Sequence, residues 1–178
     1  MCIRDRETVR HTLHTLAPKV QATRMVEDYV RRLYLPAAAS GAALAADDHA
    51  GARDLAAWKQ RVRAEWSRVR VDHVETGGVG DSPEVGDQLH VAAWVSLGGL
   101  SPQDVDVQVV HGRVDEADDL VDATEESLRH VESYEDGRHE FAGDVVLRRS
   151  GPFGYTVRIL PRHAGQANEA ETALVTNA

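Results

Sequence analysis

Leu55-Ala56-Ala57-Trp58-Lys59-Gln60-Arg61-Val62-Arg63-Ala64-Glu65-Trp66-Ser67-Arg68-Val69-Arg70-Val71-Asp72-His73-Val74 contains the change of periodicity that decides the fold. Up to Val69 the apolar residues Leu55, Trp58, Val62, Trp66 and Val69 are spaced by three and four, the period of one helix face. Beyond it Val71 and His73 alternate with Asp72 and Val74, the period of a strand. Five apolar positions cannot sustain a coiled coil of several heptads. The stripe therefore predicts a helix over Ala52 to Val69 packed on a neighbour, with Arg53, Lys59, Arg61, Arg63, Glu65 and Arg68 facing outward. The expectation is an α+β chain: a helical segment over 7–69, an antiparallel β-sandwich of immunoglobulin-like type over 70–163, and a flexible tail over 164–178.

Downstream of the switch, Gly77 to Pro83 reads as a loop. Leu89, Val91, Ala93 and Val95 alternate with His90, Ala92, Trp94 and Ser96 in a second strand, and Val105, Val107 and Val109 with Asp104, Asp106 and Gln108 in a third. Weaker strands cover Ser127 to Tyr134 and His139 to Leu147, joined by the hairpin-type turn Glu135-Asp136-Gly137. Tyr155 to Leu160 is the last. Six or seven short strands with turn signals at intervals of about ten residues predict the sandwich, here without a disulfide.

Upstream, Met25, Val26, Tyr29, Val30, Leu33 and Tyr34 form one broad stripe of an amphipathic helix opposite Arg24, Glu27, Asp28, Arg31 and Arg32. Thr23 is the expected N-cap, and Pro36 is expected to stop the helix by biasing Leu35 away from the helical region. Pro36 then suits the first position of a second, alanine-rich helix over Ala37 to Ala46, with a turn after it at Asp47-Asp48-His49-Ala50-Gly51.

No stretch approaches the ~18 consecutive apolar residues that cross a bilayer. A single cysteine, Cys2, excludes an internal disulfide framework and fits a reducing compartment, so the cytoplasm is the expected location. The net charge of −9 is concentrated: Asp115 to Asp136 carries ten carboxylates against Arg129 alone. Such a surface repels nucleic acid and anionic membranes. The first six residues, Met-Cys-Ile-Arg-Asp-Arg, do not join smoothly to the helix-forming residues after them and read as a translated sequencing-adapter tag, which places the natural sequence from Glu7 onward with its upstream part missing.

The candidate chemistry is thin. Asp115, Asp119 and Glu126 match positions 1, 5 and 12 of a calcium loop, but Ala117 and Leu120 stand where a ligand and a glycine are required, so the run reads as a solvated acidic loop. His11 and His14 can share a helix face, yet zinc needs three or four ligands. His130 and His139 are placed to face each other across the Glu135-Asp136-Gly137 hairpin. Gly77-Gly78-Val79-Gly80 matches neither a dinucleotide fingerprint nor a P-loop. Trp58 and Trp66 read as core, whereas Trp94 lies opposite the valines, either covered by the second sheet or part of a patch that docks on something. No catalytic, cofactor-binding or metal-binding residue is assigned.

Taken together, Thr23 to Ala37, Leu55 to Arg63, Val95 to Pro102, Val105 to Val114 and Gly151 to His163 resemble, in order and spacing, the C-terminal end of bacterial and especially actinobacterial α-glucan phosphorylases. The resemblance implies a parent enzyme with two α/β domains of glycosyltransferase-B type that transfers glucosyl units from α-1,4-glucan to phosphate, giving glucose 1-phosphate. It also implies pyridoxal phosphate carried on a lysine of the parent. Neither Lys19 nor Lys59 stands in the glycine- and serine-rich setting that this lysine has in the family, so no cofactor is expected in this chain. The implied partners are the missing N-terminal part of the same enzyme, α-glucan and phosphate, with no nucleic acid and no membrane. The helices would end the catalytic domain and the β unit would stand behind it, as structural support. A stand-alone helical and β-sandwich module that binds carbohydrate or protein is the alternative.

Overall fold

A computed structural model describes residues 3–80 and 84–178, with the side chains of Ile3 and Arg4 left aside. Met1 and Cys2 of the expected tag, and Asp81 to Pro83 of the expected loop, lie outside the described residues. The chain divides into two compact units, 1–52 and 53–178.

The first unit is helical: α1 (Ile3–Thr15), α2 (Ala17–Val20), α3 (Ala22–Tyr29), a π-helical turn (Val30–Tyr34) and the first part of α4 (Leu35–Glu65). Two expectations need correction. Gln21, not Thr23, is the N-cap of α3, and it makes no side-chain capping bond. Pro36 does not stop the helix. Leu35 keeps helical angles and its N–H donates to the Val30 carbonyl five residues back. A proline ring normally clashes with the carbonyl four residues before it, and the wider π turn relieves that clash, so the helix passes through. The expected turn is present inside α4, where Asp47, Asp48 and His49 take φ of 50°, 53° and 63°. Asp and His are among the residues that tolerate this left-handed region best.

None of the helical stripe is buried. Met25 is 45% exposed, Tyr29 43% and Leu33 55%.

In the second unit, residues 53–65 of α4 run into a 3₁₀ turn at Trp66–Arg68 and then into eight strands: β1 (Arg70–Gly77), β2 (Gln88–Ser96), β3 (Val105–Val114), β4 (Leu120–Ser127), β5 (Arg129–Ser133), β6 (Arg138–Val146), β7 (Phe153–Pro161) and β8 (Thr176–Asn177). They form two antiparallel sheets in the orders β1-β2-β6-β5 and β4-β3-β7-β8. Alternation sets the core. Val91, Ala93 and Val95 of β2 are fully buried, as are Val107 and Val109 of β3 and Ile159 of β7. The helix contributes the row expected of it, since Leu55, Trp58, Val62, Trp66 and Val69 are all buried.

The acidic run is not all loop. Residues 120–127 form β4, an edge strand paired with β3 and mostly exposed. Charges that obscure its alternation are what an edge strand carries to resist pairing with other chains. The stretch after His163, expected to be loosely held, is docked: a 3₁₀ turn at Glu169–Thr172 leads to β8 on β7, with the Ala178 N–H on the Val157 carbonyl. The signal is too short to read, because β8 has two residues.

The β3–β4 ladder slips register between His111 and Arg113, and Gly112 sits at the slip. A Cβ there would stand 2.8 Å from the Val121 carbonyl oxygen, a backbone atom that cannot swing away. Gly112→Ala is expected to cost about 1–3 kcal/mol by overpacking, read as a lower denaturant midpoint with unchanged slope.

Candidate functional site

The most polar buried feature of the second unit is the seam where residues 54–65 of α4 meet the loops at one end of the sheets. Asp104 organises it. Ser101-Pro102-Gln103-Asp104 forms a capping box around a single 3₁₀ turn, in which the Ser101 N–H and hydroxyl donate to Asp104 Oδ2 at 2.9 and 2.8 Å. The other carboxylate oxygen accepts from Trp58 Nε1 and from Arg61 Nη2, both at 2.9 Å. Burial alone would raise the Asp104 carboxyl, but the Ser101 amide, the Ser101 hydroxyl and the Arg61 guanidinium together hold it below the ordinary carboxylate value.

Around this centre the helix is tied at three further points. His163 stacks on Trp58 with ring centroids 4.9 Å apart, accepts from the Gly165 N–H at Nδ1, and so offers its Nε2–H to Asp54 at 3.1 Å. Lys59 pairs with Glu171, which also accepts from the Ala167 N–H, and these bonds hold the Glu171 carboxyl below its usual value. Glu65 accepts from the Gly99 N–H at 3.0 Å and from Arg68 at 2.9 Å. Gly98 is required here: its φ is +62° and a Cβ would lie 2.9 Å from Arg68 Cβ.

This arrangement is mechanical. Every charged group at the seam has an opposite or dipolar partner, which immobilises it and leaves no free nucleophile or proton acceptor. A folded-state value held below the unfolded one gives Asp104 a stabilising share that is complete above about pH 4 and is lost as the pH falls through the lower folded-state value. Asp104→Asn is expected to lower stability at neutral pH by about 1–3 kcal/mol. That gap should close in acid, which thermal midpoints between pH 7 and pH 3 will show.

The remaining sequence candidates are dispersed. Asp115 is spent on the β3–β4 turn, accepting from the Ala117 and Asp119 N–H groups at 2.9 and 3.1 Å. Glu126 lies far along β4, opposite Val109 and 3.4 Å from His111 Nε2, so no calcium loop forms. His11 and His14 are both exposed on α1. His130 and His139 do face each other, with ring centroids 5.9 Å apart and the Ser133 hydroxyl between them at 3.0 and 2.8 Å. Burial, and then the charge of His130, hold His139 below its ordinary value. Among the described residues no group of three His, Cys, Asp or Glu converges as a metal site.

Trp94 is an intermediate case. It is half-buried on the outer face of β2, against His73 at 5.6 Å, and stands opposite Glu140, which accepts from the Tyr134 hydroxyl. Neither lysine presents a cofactor cavity, since Lys59 is engaged by Glu171 and Lys19 is exposed on α2. Sequence reasoning misses Asp104, which alternation places only as an outward strand residue. The Ser-Pro-x-Asp spacing just before β3 is the signal that could have found it.

Comparison with known proteins agrees with this non-catalytic geometry. The family model described as "Glycogen phosphorylase C-terminal domain" matches residues 66–178. The chain is 44% identical over 170 residues to glycogen phosphorylase of Mycobacterium bovis, and to that of Mycobacterium tuberculosis, covering 96% of this chain and 20% of each relative. It is 27% identical over 158 residues to maltodextrin phosphorylase of Thermococcus litoralis, covering 87% of this chain and 18% of that protein. The chain thus spans about a fifth of the length of these curated relatives. No solved structure matches. Among the described residues no helix is long and apolar enough to cross a membrane.

Proposed function

Since the chain belongs to the glycogen phosphorylase C-terminal domain family, we propose that it is the C-terminal, non-catalytic part of a cytoplasmic α-glucan phosphorylase. In that reading the longer enzyme transfers glucosyl units from α-1,4-glucan to phosphate, and this part supports the catalytic domain. The observation that carries it is the continuity of the similarity, which covers 96% of this chain and so takes in helices and sheets as one piece of the relatives.

The bare stripe of α3 and the π turn supports the same reading. An apolar face of this width normally lies against other protein, and Met25, Tyr29, Leu33 and Tyr34 are all exposed. The seam supports it as well, because it fixes the end of α4 to the sheets through paired charges that do no chemistry. The pyridoxal phosphate of the parent is then held by its upstream residues, as neither Lys19 nor Lys59 fits that role. Within this reading 7–69 end the catalytic domain and 70–163 form the appended module.

Sequencing the gene upstream of Glu7 tests the proposal. An open frame leading back into a glycine- and serine-rich segment with a pyridoxal-type lysine is the expected result. A start codon and ribosome-binding site directly before Glu7 would overturn it.

A further inference from the structure

A cavity of about 130 Å³ lies at the sheet end around the β3–β4 edge and the β6–β7 loop, and its rim carries Arg113, Arg148 and Arg149. We propose that this cavity binds a small organic phosphate, a phosphate monoester with a compact body, independently of the phosphorylase reading.

The charge is the first argument. The chain carries a net charge of −9, and the acidic β3–β4 turn begins at Asp115, two residues after Arg113. Arg149 is held by Asp122 at 2.9 Å. Among the described residues neither Arg113 nor Arg148 is paired with a carboxylate. Two unneutralised guanidinium groups at one cavity, next to a third that is fixed in place, offer the forked donors that suit a phosphate.

The backbone is arranged to hold that third group. Asp122 has φ of 51°, at the register slip between β3 and β4. Bulges of this kind re-aim a side chain, and here the carboxylate ties the edge strand to the β6–β7 loop across the cavity.

The floor argues for a carbon body in addition to the phosphate. Phe153, 38% exposed, and Val146 line the cavity below the arginines. Phe153 is braced from behind by the buried ring of His111, with centroids 5.8 Å apart, and His111 is itself set by Glu126 at 3.4 Å. Inorganic phosphate or sulfate has nothing to place on an aromatic face. The volume is below the ~300 Å³ at which pockets for drug-sized ligands begin, which limits the body to about one ring.

Titration of the full 178-residue chain at constant ionic strength tests this, with glucose 1-phosphate, inorganic phosphate and sulfate as probes and amide chemical shifts as readout. Glucose 1-phosphate is expected to saturate, shifting residues 111–113 and 148–153, and to bind at least tenfold more tightly than the two inorganic anions. Arg148→Ala and Arg113→Ala should each weaken it about tenfold, and Arg31→Ala in the helical unit should not. Equal binding of all three anions would show a loose counter-ion cloud and overturn the proposal. Non-saturable shifts, or an unchanged affinity in Arg148→Ala, would do the same. Arg148 is exposed on a loop, so this variant decides the matter even if Arg113→Ala lowers the unfolding midpoint.

Discussion

Trp58→Ala is expected to cost the sheet-containing unit about 3–5 kcal/mol, a large part of the 5–15 kcal/mol that ordinarily holds a domain together. Trp58 is 2% exposed, and its ring joins the helix row to His163. Its truncation removes that area from the core and leaves Asp104 with one donor fewer. Trp58→Phe separates the two terms. It keeps most of the apolar area and loses only the Nε1–H bond, for which about 1–2 kcal/mol is expected. Denaturant unfolding measures both, and a loss below about 1 kcal/mol for the alanine variant would show that the helix is an ornament on the sheets.

The second large effect concerns assembly. A chimera in which residues 7–178 replace the C-terminal fifth of the mycobacterial glycogen phosphorylase is expected to form soluble enzyme with phosphorolytic activity. Met25→Glu, Tyr29→Glu and Leu33→Glu introduced together into that chimera should reduce active enzyme at least about 100-fold, because burying even one unpaired charge costs several kcal/mol. The same triple substitution in the chain alone should leave the unfolding of the sheet unit unchanged, since all three residues lie in the other compact unit and are exposed. Full activity of the substituted chimera would mean that the stripe contacts nothing in the parent, and the supporting role would have to be given up.

The residues differ in how legible their roles are from sequence. Leu55, Trp58, Val62, Trp66 and Val69 are readable as one buried face because the same side chains that repeat at helical spacing are those that leave water. Strands β2, β3 and β7 are readable for the corresponding reason at period two. β4 is not, because an edge strand buries little and its carboxylates mask the alternation. β8 is not, because two residues carry no period at all. Pro36 reads as a stop because local sterics say so, and only the neighbouring π turn shows how the helix evades the clash.

The chain's own order of residues determined that helices precede sheets, where the change comes, which side chains form the core, and the family. These come from local geometry and hydrophobic pattern, which act over a few residues. Tertiary structure alone decided the strand order, the gathering of Trp58, Arg61 and Ser101 on Asp104, and the meeting of Arg113, Arg148 and Arg149 at one cavity. Those groups stand up to tens of residues apart, and no local rule specifies which long-range pairings best bury the strands and satisfy their polar atoms; that choice belongs to the whole packed core.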